Sequence, residues 1–179
     1  MNTGMIPTRY AAALLAYASD GGHEEKVYET AKTTLKSFEE QVRLTSVLQS
    51  PVVGTEQKKQ LILLASNQVK GGVFERFVDL LLSNHREAYL QVTMLKYIDM
   101  YREQKGIFTA TVTSAVALDA AVVARLSSII ENKRKGNLEL EMKIQPDVLG
   151  GFILDVDDTR WDASVKRQLQ QIKNELITK

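Results

Sequence analysis

The sequence lacks residues on which several common kinds of site depend. It contains no cysteine, which excludes disulfide bonds, thiolate metal ligands and a cysteine nucleophile. Its two histidines, His23 and His85, stand far apart, so a histidine-rich zinc site is not expected. We interpret both as surface or capping residues and expect no metal or other cofactor.

Neither one sign of charge nor a long apolar run stands out. The 23 Lys and Arg residues nearly balance the 22 Asp and Glu residues, for a net charge of +1, so nucleic acid is not expected as a partner. No apolar run approaches the roughly 20 residues that a membrane-spanning helix needs, so direct membrane insertion is not expected. The N-terminus lacks the basic start and apolar core of a signal peptide. A bacterial cytoplasmic protein is the simplest interpretation.

The periodicity of apolar residues divides the chain of 179 residues into two parts. Up to about residue 105, apolar residues recur at helical spacing in six segments separated by glycines or by Pro51. After Gly106 the pattern alternates, which predicts strands at Phe108–Thr113 and Leu138–Ile144 with a helix from Asp119 between them. The sequence therefore predicts an α+β fold: a six-helix bundle over residues 1–105, then a small α/β domain over residues 106–179.

The stretch from Val148 to Val165 is the most informative part of the second domain. It predicts a glycine-led β-hairpin over Gly150–Trp161 and then a terminal amphipathic helix. The apolar stripe of that helix comprises Val165, Leu169, Ile172 and Leu176. We expect the stripe to pack on the domain's own sheet. In the bundle, we expect Lys58 and Lys59 to lie on a solvated face.

One segment of the hairpin also allows an enzymatic interpretation. Asp155, Asp157 and Thr159 follow an apolar run and resemble the first motif of haloacid-dehalogenase-like phosphotransferases, in which one Asp attacks phosphorus and another handles the proton. That fold needs crossover helices after the motif, and one βαβ unit takes about 30 residues. Only 20 residues follow Thr159. No P-loop or other catalytic motif is present, so we expect no enzyme.

The hairpin and the start of the last helix resemble the C-terminal signature of the ATP synthase delta subunit family, whose mitochondrial form is the oligomycin-sensitivity-conferring protein. The signature residues are Gly150, Gly151, Phe152, Asp162, Ser164, Val165 and Leu169. Thr113–Leu118, Arg9–Ala11, Ser50–Pro51 and Asn84–Arg86 resemble other motifs of the family, so the resemblance spans nearly the whole chain. Two positions depart from the pattern, because Ala163 and Asp157 stand where glycine is usual.

The resemblance implies a non-catalytic stator subunit of the rotary ATP synthase. Such a subunit links the catalytic α/β head to the peripheral stalk, so that the head does not turn with the rotor. Its bundle receives the N-terminal helix of an α subunit, and its C-terminal domain meets the C-terminus of the stalk's b subunits. This implies a peripheral position at the cytoplasmic face of a bacterial inner membrane. The stripe of the last helix would then contact the stalk if it does not pack on the sheet.

We expect the α-subunit helix to bind between the first and fifth helices of the bundle, with aromatic residues as anchors and a small alanine allowing close approach. The expected contact residues are Tyr10, Ala13, Leu14, Tyr17, Phe74, Phe77, Val78 and Leu81. For each of them, a place in the core of the bundle is the alternative. A helical adaptor unrelated to the synthase would show the same groove with a different ligand.

Overall fold

A computed structural model describes residues 4–67, 72–133, 137–156 and 159–177 of the chain. The chain divides into two compact units, Met1–Arg102 and Glu103–Lys179. The division falls in the last turn of a helix that ends just before Gly106. Within the described residues, no helix is both long enough and apolar enough to cross a membrane.

The N-terminal unit is built from the six predicted helices. A short 3₁₀ turn at Glu87–Tyr89 precedes the last of them. The helices are α1 (Met5–Asp20), α2 (Glu24–Glu40), α3 (Arg43–Gln49), α4 (Thr55–Ala65), α5 (Val73–Ser83) and α6 (Leu90–Lys105).

Aromatic and aliphatic side chains of α2, α5 and α6 form much of the core of this unit. Tyr101 of α6 stacks on Tyr28 of α2 with 4.5 Å between ring centroids. The buried apolar residues of α6 are Leu90, Met94, Tyr97, Ile98 and Tyr101. Arg102 Nε donates a hydrogen bond of 2.9 Å to the Tyr28 hydroxyl. Tyr97 is fully buried and donates its hydroxyl proton to the Glu24 carbonyl oxygen at 3.0 Å. The buried hydroxyl groups of Tyr28 and Tyr97 are therefore hydrogen-bonded, as is usual in a stable core.

Two neighbouring lysines of α4 tie that helix to the following elements. Lys58 is only 5% exposed, and its Nζ lies 2.6 Å from Glu87 Oε1. Lys59 Nζ lies 2.7 Å from Asp79 Oδ1 and 2.9 Å from Glu75 Oε1 on α5, and these hydrogen bonds raise the pKa of Lys59. The expectation of a solvated lysine pair was wrong for Lys58. Helical spacing predicts which residues share a face, but it does not show that a carboxylate from a distant turn covers that face.

The C-terminal unit is a four-stranded mixed sheet with two helices. Its elements are β1 (Ile107–Ser114), α7 (Ala120–Lys133), β2 (Asn137–Ile144), β3 (Phe152–Val156), β4 (Thr159–Asp162) and α8 (Val165–Ile177). The strand order is β2-β1-β3-β4, with β1 parallel to β2 and antiparallel to β3, and with β3 antiparallel to β4. The predicted α+β fold class, with its hairpin and terminal helix, is confirmed.

A small core holds this unit together on one face of the sheet. Alternate residues of β1 and β3 point to that face, as the pleat of a strand dictates. They meet Ile130 of α7, while Leu126, Leu138 and Leu140 pack at the margin. The buried members are Phe108, Ala110, Val112, Ile130, Leu154 and Val156.

Replacement of Lys58 by Met leaves the Glu87 carboxylate buried opposite an apolar side chain. The remaining carboxylate then stays buried without a counter-ion. We therefore expect the free energy of unfolding to fall by about 3 kcal/mol. The double variant Lys58→Met with Glu87→Leu removes both charges and should recover most of this loss. Urea denaturation followed by circular dichroism measures both values. Equal losses of unfolding free energy in the single and double variants would contradict the assignment of Lys58 and Glu87 as a buried ion pair.

The same pair predicts a pH dependence of stability. Burial pushes the pKa of Glu87 upward, but the hydrogen bond from Lys58 and the local charges outweigh it, so the pKa lies below its ordinary value. Because the pKa of Glu87 is lower in the folded than in the unfolded protein, its ionised carboxylate contributes stability in full above about pH 4.3, the ordinary pKa of an unfolded Glu. This contribution is lost as the pH falls from there through the folded-state pKa. Wild type should therefore lose more stability than the Lys58→Met, Glu87→Leu variant between neutral pH and about pH 3. Parallel pH profiles of the free energy of unfolding for the two proteins would contradict this prediction.

Candidate partner-binding surfaces

The eight residues predicted to contact a partner lie on α1 and α5, but they divide into buried and accessible groups. Tyr10 is half-buried, and Ala13 and Tyr17 are exposed. The remaining five are at most 5% exposed and belong to the core of the N-terminal unit: Leu14, Phe74, Phe77, Val78 and Leu81. The two helices pack directly on each other. The Tyr10 ring meets the Phe77 ring edge-on, with 6.5 Å between ring centroids. Which of these residues contact a partner stays a prediction.

The accessible surface between these helices includes two residues that the sequence analysis did not select. Arg76 of α5 is exposed and donates a hydrogen bond of 2.7 Å to the Tyr17 hydroxyl. Leu80, one turn further along α5, is 47% exposed. We call Tyr10, Ala13, Tyr17, Arg76 and Leu80 the α1–α5 surface. The sequence does contain a signal for Leu80. Helix α5 is apolar on most sides, and Leu80 lies outside its main apolar stripe, which indicates an exposed apolar residue.

The α1–α5 surface continues at one end into a cavity of about 600 Å³. Tyr17 and Arg76 form part of its wall, together with polar residues from the end of α1 and the start of α2, including Asp20, His23 and Lys26. The surface therefore changes along its length from apolar and aromatic to mixed charge.

The paired glycines of the C-terminal signature form a turn against which the start of α8 packs. Gly151 has φ +71, and a Cβ placed there would overlap the carbonyl oxygen of Ala163. A Cβ on Gly150 would lie 3.1 Å from Val165 Cγ2. Ala163 N donates to Phe152 O, and Val165 N donates to Gly150 O, each at 3.0 Å. Glycine is therefore required at residue 151 by both conformation and space.

The polar signature residues form the cap of α8. Asp162 Oδ1 accepts a hydrogen bond of 2.9 Å from Ser164 N, and Ser164 Oγ accepts one of 3.2 Å from Arg167 N in the first turn. The hydrogen bonds from the Ser164 side chain and backbone hold the pKa of Asp162 below its usual range. Ser164 thus acts as the N-cap residue and satisfies a backbone amide that the helix itself cannot. The direction of α8 is fixed by this cap and by the glycine turn.

The apolar stripe of α8 does not pack on the sheet of its own unit. Val165, Leu169 and Ile172 are 39%, 53% and 54% exposed. The side chain of Leu176, the fourth predicted member, lies outside the described residues. The expectation of packing on the sheet was wrong, because the polar side of α8 is the side nearest the strands: Lys166, Arg167 and Gln170 line a cavity together with Ile153 and Arg160. An apolar helical stripe left in water is characteristic of a binding surface.

The residues of the enzymatic alternative do not form a phosphotransferase site. Asp155 lies within β3, which is antiparallel to both neighbouring strands, and its register partner on β4 is Arg160, with Nε 3.5 Å from Asp155 Oδ1. The second aspartate of the motif, Asp157, lies outside the described residues. The parallel strands that present such a motif at a sheet edge are thus absent around Asp155. Among the described residues, no group of three or more His, Asp or Glu side chains is arranged to hold a metal.

The chain thus consists of a helical bundle and a small α/β unit, each with an accessible apolar helix surface. A model of the family described as ATP synthase delta (OSCP) subunit matches residues 6–176. The chain therefore belongs to the ATP synthase delta (OSCP) subunit family, whose members are non-catalytic subunits of the complex.

Relatives and a solved structure agree with this assignment. The chain is 39% identical over 180 residues to ATP synthase subunit delta of Phocaeicola vulgatus, covering 100% of this chain and 97% of that protein. It is 38% identical over 181 residues to ATP synthase subunit delta of Bacteroides thetaiotaomicron, with the same coverage. A chain of the cryo-EM structure of the Toxoplasma gondii mitochondrial ATP synthase hexamer has the same fold, with a TM-score of 0.67, 20% identity, and coverage of 96% of this chain and 97% of that one. An adaptor unrelated to the synthase is excluded.

Substitution of Gly151 by Ala should destabilise the C-terminal unit strongly. Ala at positive φ costs about 1–2 kcal/mol, and the overlap with Ala163 adds an overpacking cost of about 1–3 kcal/mol. Gly106→Ala is the matched control, because Gly106 has φ +61 with no atom within 4 Å of an added Cβ. Trp161, the only tryptophan, lies in β4 and reports unfolding of this unit by fluorescence. Equal destabilisation by the two substitutions would show that the close approach is unimportant.

Proposed function

We propose that the chain is the stator subunit that links the catalytic α/β head of a rotary ATP synthase to its peripheral stalk. In this proposal the bundle domain, residues 1–105, binds the N-terminal helix of an α subunit, and the domain of residues 106–179 binds the C-terminus of the b subunits. The protein then acts as a peripheral component at the cytoplasmic face of a bacterial inner membrane. The observation that carries the proposal is one accessible apolar helix surface in each unit.

The mechanical task explains why two surfaces are needed. Each charge that crosses a potential of 100 mV releases about 2.3 kcal/mol, and the stator must resist the torque that several charges produce. A contact of micromolar affinity is worth about 8 kcal/mol and one of nanomolar affinity about 12 kcal/mol. The two contacts stand in series between the head and the stalk, so each of them must by itself withstand the full load. No side chain has to perform chemistry for this function.

The α1–α5 surface suits a helix that docks in a shallow groove. Ala13 lets the backbone of a docked helix approach closely, while Tyr10 and Tyr17 offer rigid aromatic contacts at low entropic cost. Leu80 provides an exposed apolar contact on the other side. Packing of Phe77 and Val78 beneath this surface holds the two helices in a fixed relation, so little ordering is needed on binding.

The binding of a synthetic peptide from the N-terminus of the organism's own α subunit tests the bundle's part in this proposal. We expect saturable one-to-one binding by calorimetry, and at least about tenfold weaker binding to Leu80→Asp or Tyr17→Ala, because 1.4 kcal/mol changes affinity tenfold and central apolar contacts contribute at least that much. Leu14 and Phe77 are unsuitable positions, since both are buried and an Asp there would unfold the unit.

Leu95→Asp on α6 is the matched control, because Leu95 is 47% exposed, like Leu80, and lies on neither helix of the surface. Its binding should equal that of the wild type. Equal weakening by Leu80→Asp and Leu95→Asp would place the binding site elsewhere on the unit. No binding by the folded wild type would remove the α-subunit contact from the proposal.

A further inference from the structure

Strand β2 forms one edge of the sheet in the C-terminal unit. It pairs with β1 over eight residues without a bulge, and no described strand pairs with its other side. At the two ends of this pairing, Asn137 N and Gln145 N donate hydrogen bonds of 3.2 and 2.8 Å to carbonyl oxygens at either end of β1. The odd-numbered residues of β2 thus direct their backbone groups toward β1. The even-numbered residues direct their N–H and C=O groups toward the open edge.

The open edge of β2 lacks most of the usual protection against pairing with another strand. Natural edge strands are protected by short length, proline, bulges or charged side chains. β2 has eight residues and no proline, whereas β4, at the opposite edge, has only four residues. Met142 and Ile144 of β2 are 41% and 62% exposed. Charge is the remaining device, so the arrangement of the charged residues decides which strand can pair with β2.

The charged residues of β2 match a second copy of β2 in one antiparallel register. A pair of identical strands centred on Met142 places Met142 opposite Met142 and Leu140 opposite Ile144. On the other face of the sheet, Glu141 of each copy lies opposite Lys143 of the other, and both residues are exposed. Each apolar pair can exchange both of its backbone hydrogen bonds, because both members direct their N–H and C=O groups to the open edge.

The neighbouring registers are less favourable. Centring the pair on Glu141 or on Lys143 puts two like charges directly opposite each other. Centring it on Leu140 places Glu139 of each copy opposite Glu141 of the other. A shift by a single residue turns the apolar side chains of one copy toward the polar face of the other. The register centred on Met142 therefore combines matched faces with opposite charges.

The helix that covers the sheet leaves room for a second copy. Ile130 of α7 packs on residues of β1 and β3, which lie inward of the open edge. In the paired sheet, the two copies of α7 lie on the same face, separated by three strand spacings of about 4.8 Å, roughly 14 Å in all. Packed helices need only about 8–10 Å between their axes, so the two do not clash. Met142 and Ile144 of both copies come together in the groove between them.

We propose that the protein associates with a second copy of itself through the open edge of β2, in the antiparallel register centred on Met142. The result is a continuous sheet with four strands from each copy across a two-fold axis. The contact is small, so the association is weak and reversible. The inference is independent of the proposed function, because it uses no residue of the α1–α5 surface or of the α8 stripe.

Sedimentation equilibrium of the full-length protein between about 1 and 500 µM tests the association. We expect a monomer–dimer equilibrium with a dissociation constant on the order of 100 µM or tighter. A protein that remains monomeric over this range overturns the inference and leaves the edge to a strand of another protein. Growth beyond the dimer also contradicts it, because a two-fold contact closes on itself.

Exchange of charges across the contact tests the register. Glu141→Lys puts like charges opposite each other twice and should weaken dimerisation at least about tenfold, as should Lys143→Glu. The double variant with both changes restores opposite charges and should dimerise within about threefold of wild type. Glu139→Lys is the control, because Glu139 lies opposite uncharged Gln145 in this register. A double variant as weak as the single ones, or an equal effect of Glu139→Lys, would overturn the inference.

An introduced cysteine reports the register directly, because the chain contains no cysteine of its own. Met142 faces its copy at the two-fold axis with Cα atoms about 5.5 Å apart, within the reach of a disulfide. Ile144 lies roughly 14 Å from its copy, which no disulfide spans.

Met142→Cys should therefore form covalent dimers during brief oxidation with copper phenanthroline, whereas Ile144→Cys, at a more exposed position, should not. Equal yields of covalent dimer from the two variants would overturn the inference. Fluorescence of Trp161 in β4 during urea denaturation confirms that each variant is folded.

Discussion

The C-terminal unit depends on the close approach of two backbone segments at Gly151. The carbonyl group of Ala163 occupies the space that a side chain at residue 151 would fill, and hydrogen bonds from Ala163 to Phe152 and from Val165 to Gly150 join the hairpin to α8 at this point. These contacts set the direction in which α8 leaves the sheet. The apolar stripe of the helix stays exposed, since Val165, Leu169 and Ile172 are 39%, 53% and 54% exposed. A local steric constraint thus helps to leave an apolar surface accessible.

The N-terminal unit also has an accessible apolar surface, but a packed core supports this surface from below. Its accessible surface lies over a core that includes fully buried Val78 and Leu81, so the two helices that carry the surface are fixed from beneath. Lysines of α4 add charged contacts, with Lys58 held by Glu87 and Lys59 by two carboxylates of α5. A buried ion pair contributes little net stability compared with an apolar pair, but it penalises every packing in which the charges separate. Rigidity of the surface therefore rests on both packing and charge placement.

Much of the fold could be predicted from the sequence, because helical and strand periodicity are local properties. All six helices of the bundle, the strands and the hairpin follow from spacing and from glycine positions, and the glycine pair carried the family resemblance. The errors arose where tertiary contacts decide. Apolar spacing alone could not distinguish buried Leu14 or Phe77 from exposed Leu80, nor show that Lys58 meets Glu87 or that the stripe of α8 remains uncovered. For the same reason the spacing placed the eight candidate residues on α1 and α5 without separating the five buried ones from the three accessible ones.

In the proposed stator role, the chain transmits force between two partners, so both of its contacts carry the same load. Helix α8 joins the rest of its unit at its start, through the cap at Asp162 and Ser164 and through the glycine turn. The α1–α5 surface, by contrast, is backed by a packed core and yields little. In the proposed stator role, the first surface depends on a packed core for its geometry, whereas the stripe of α8 depends on the cap and the glycine turn. The same load then passes through two contacts that are supported in different ways.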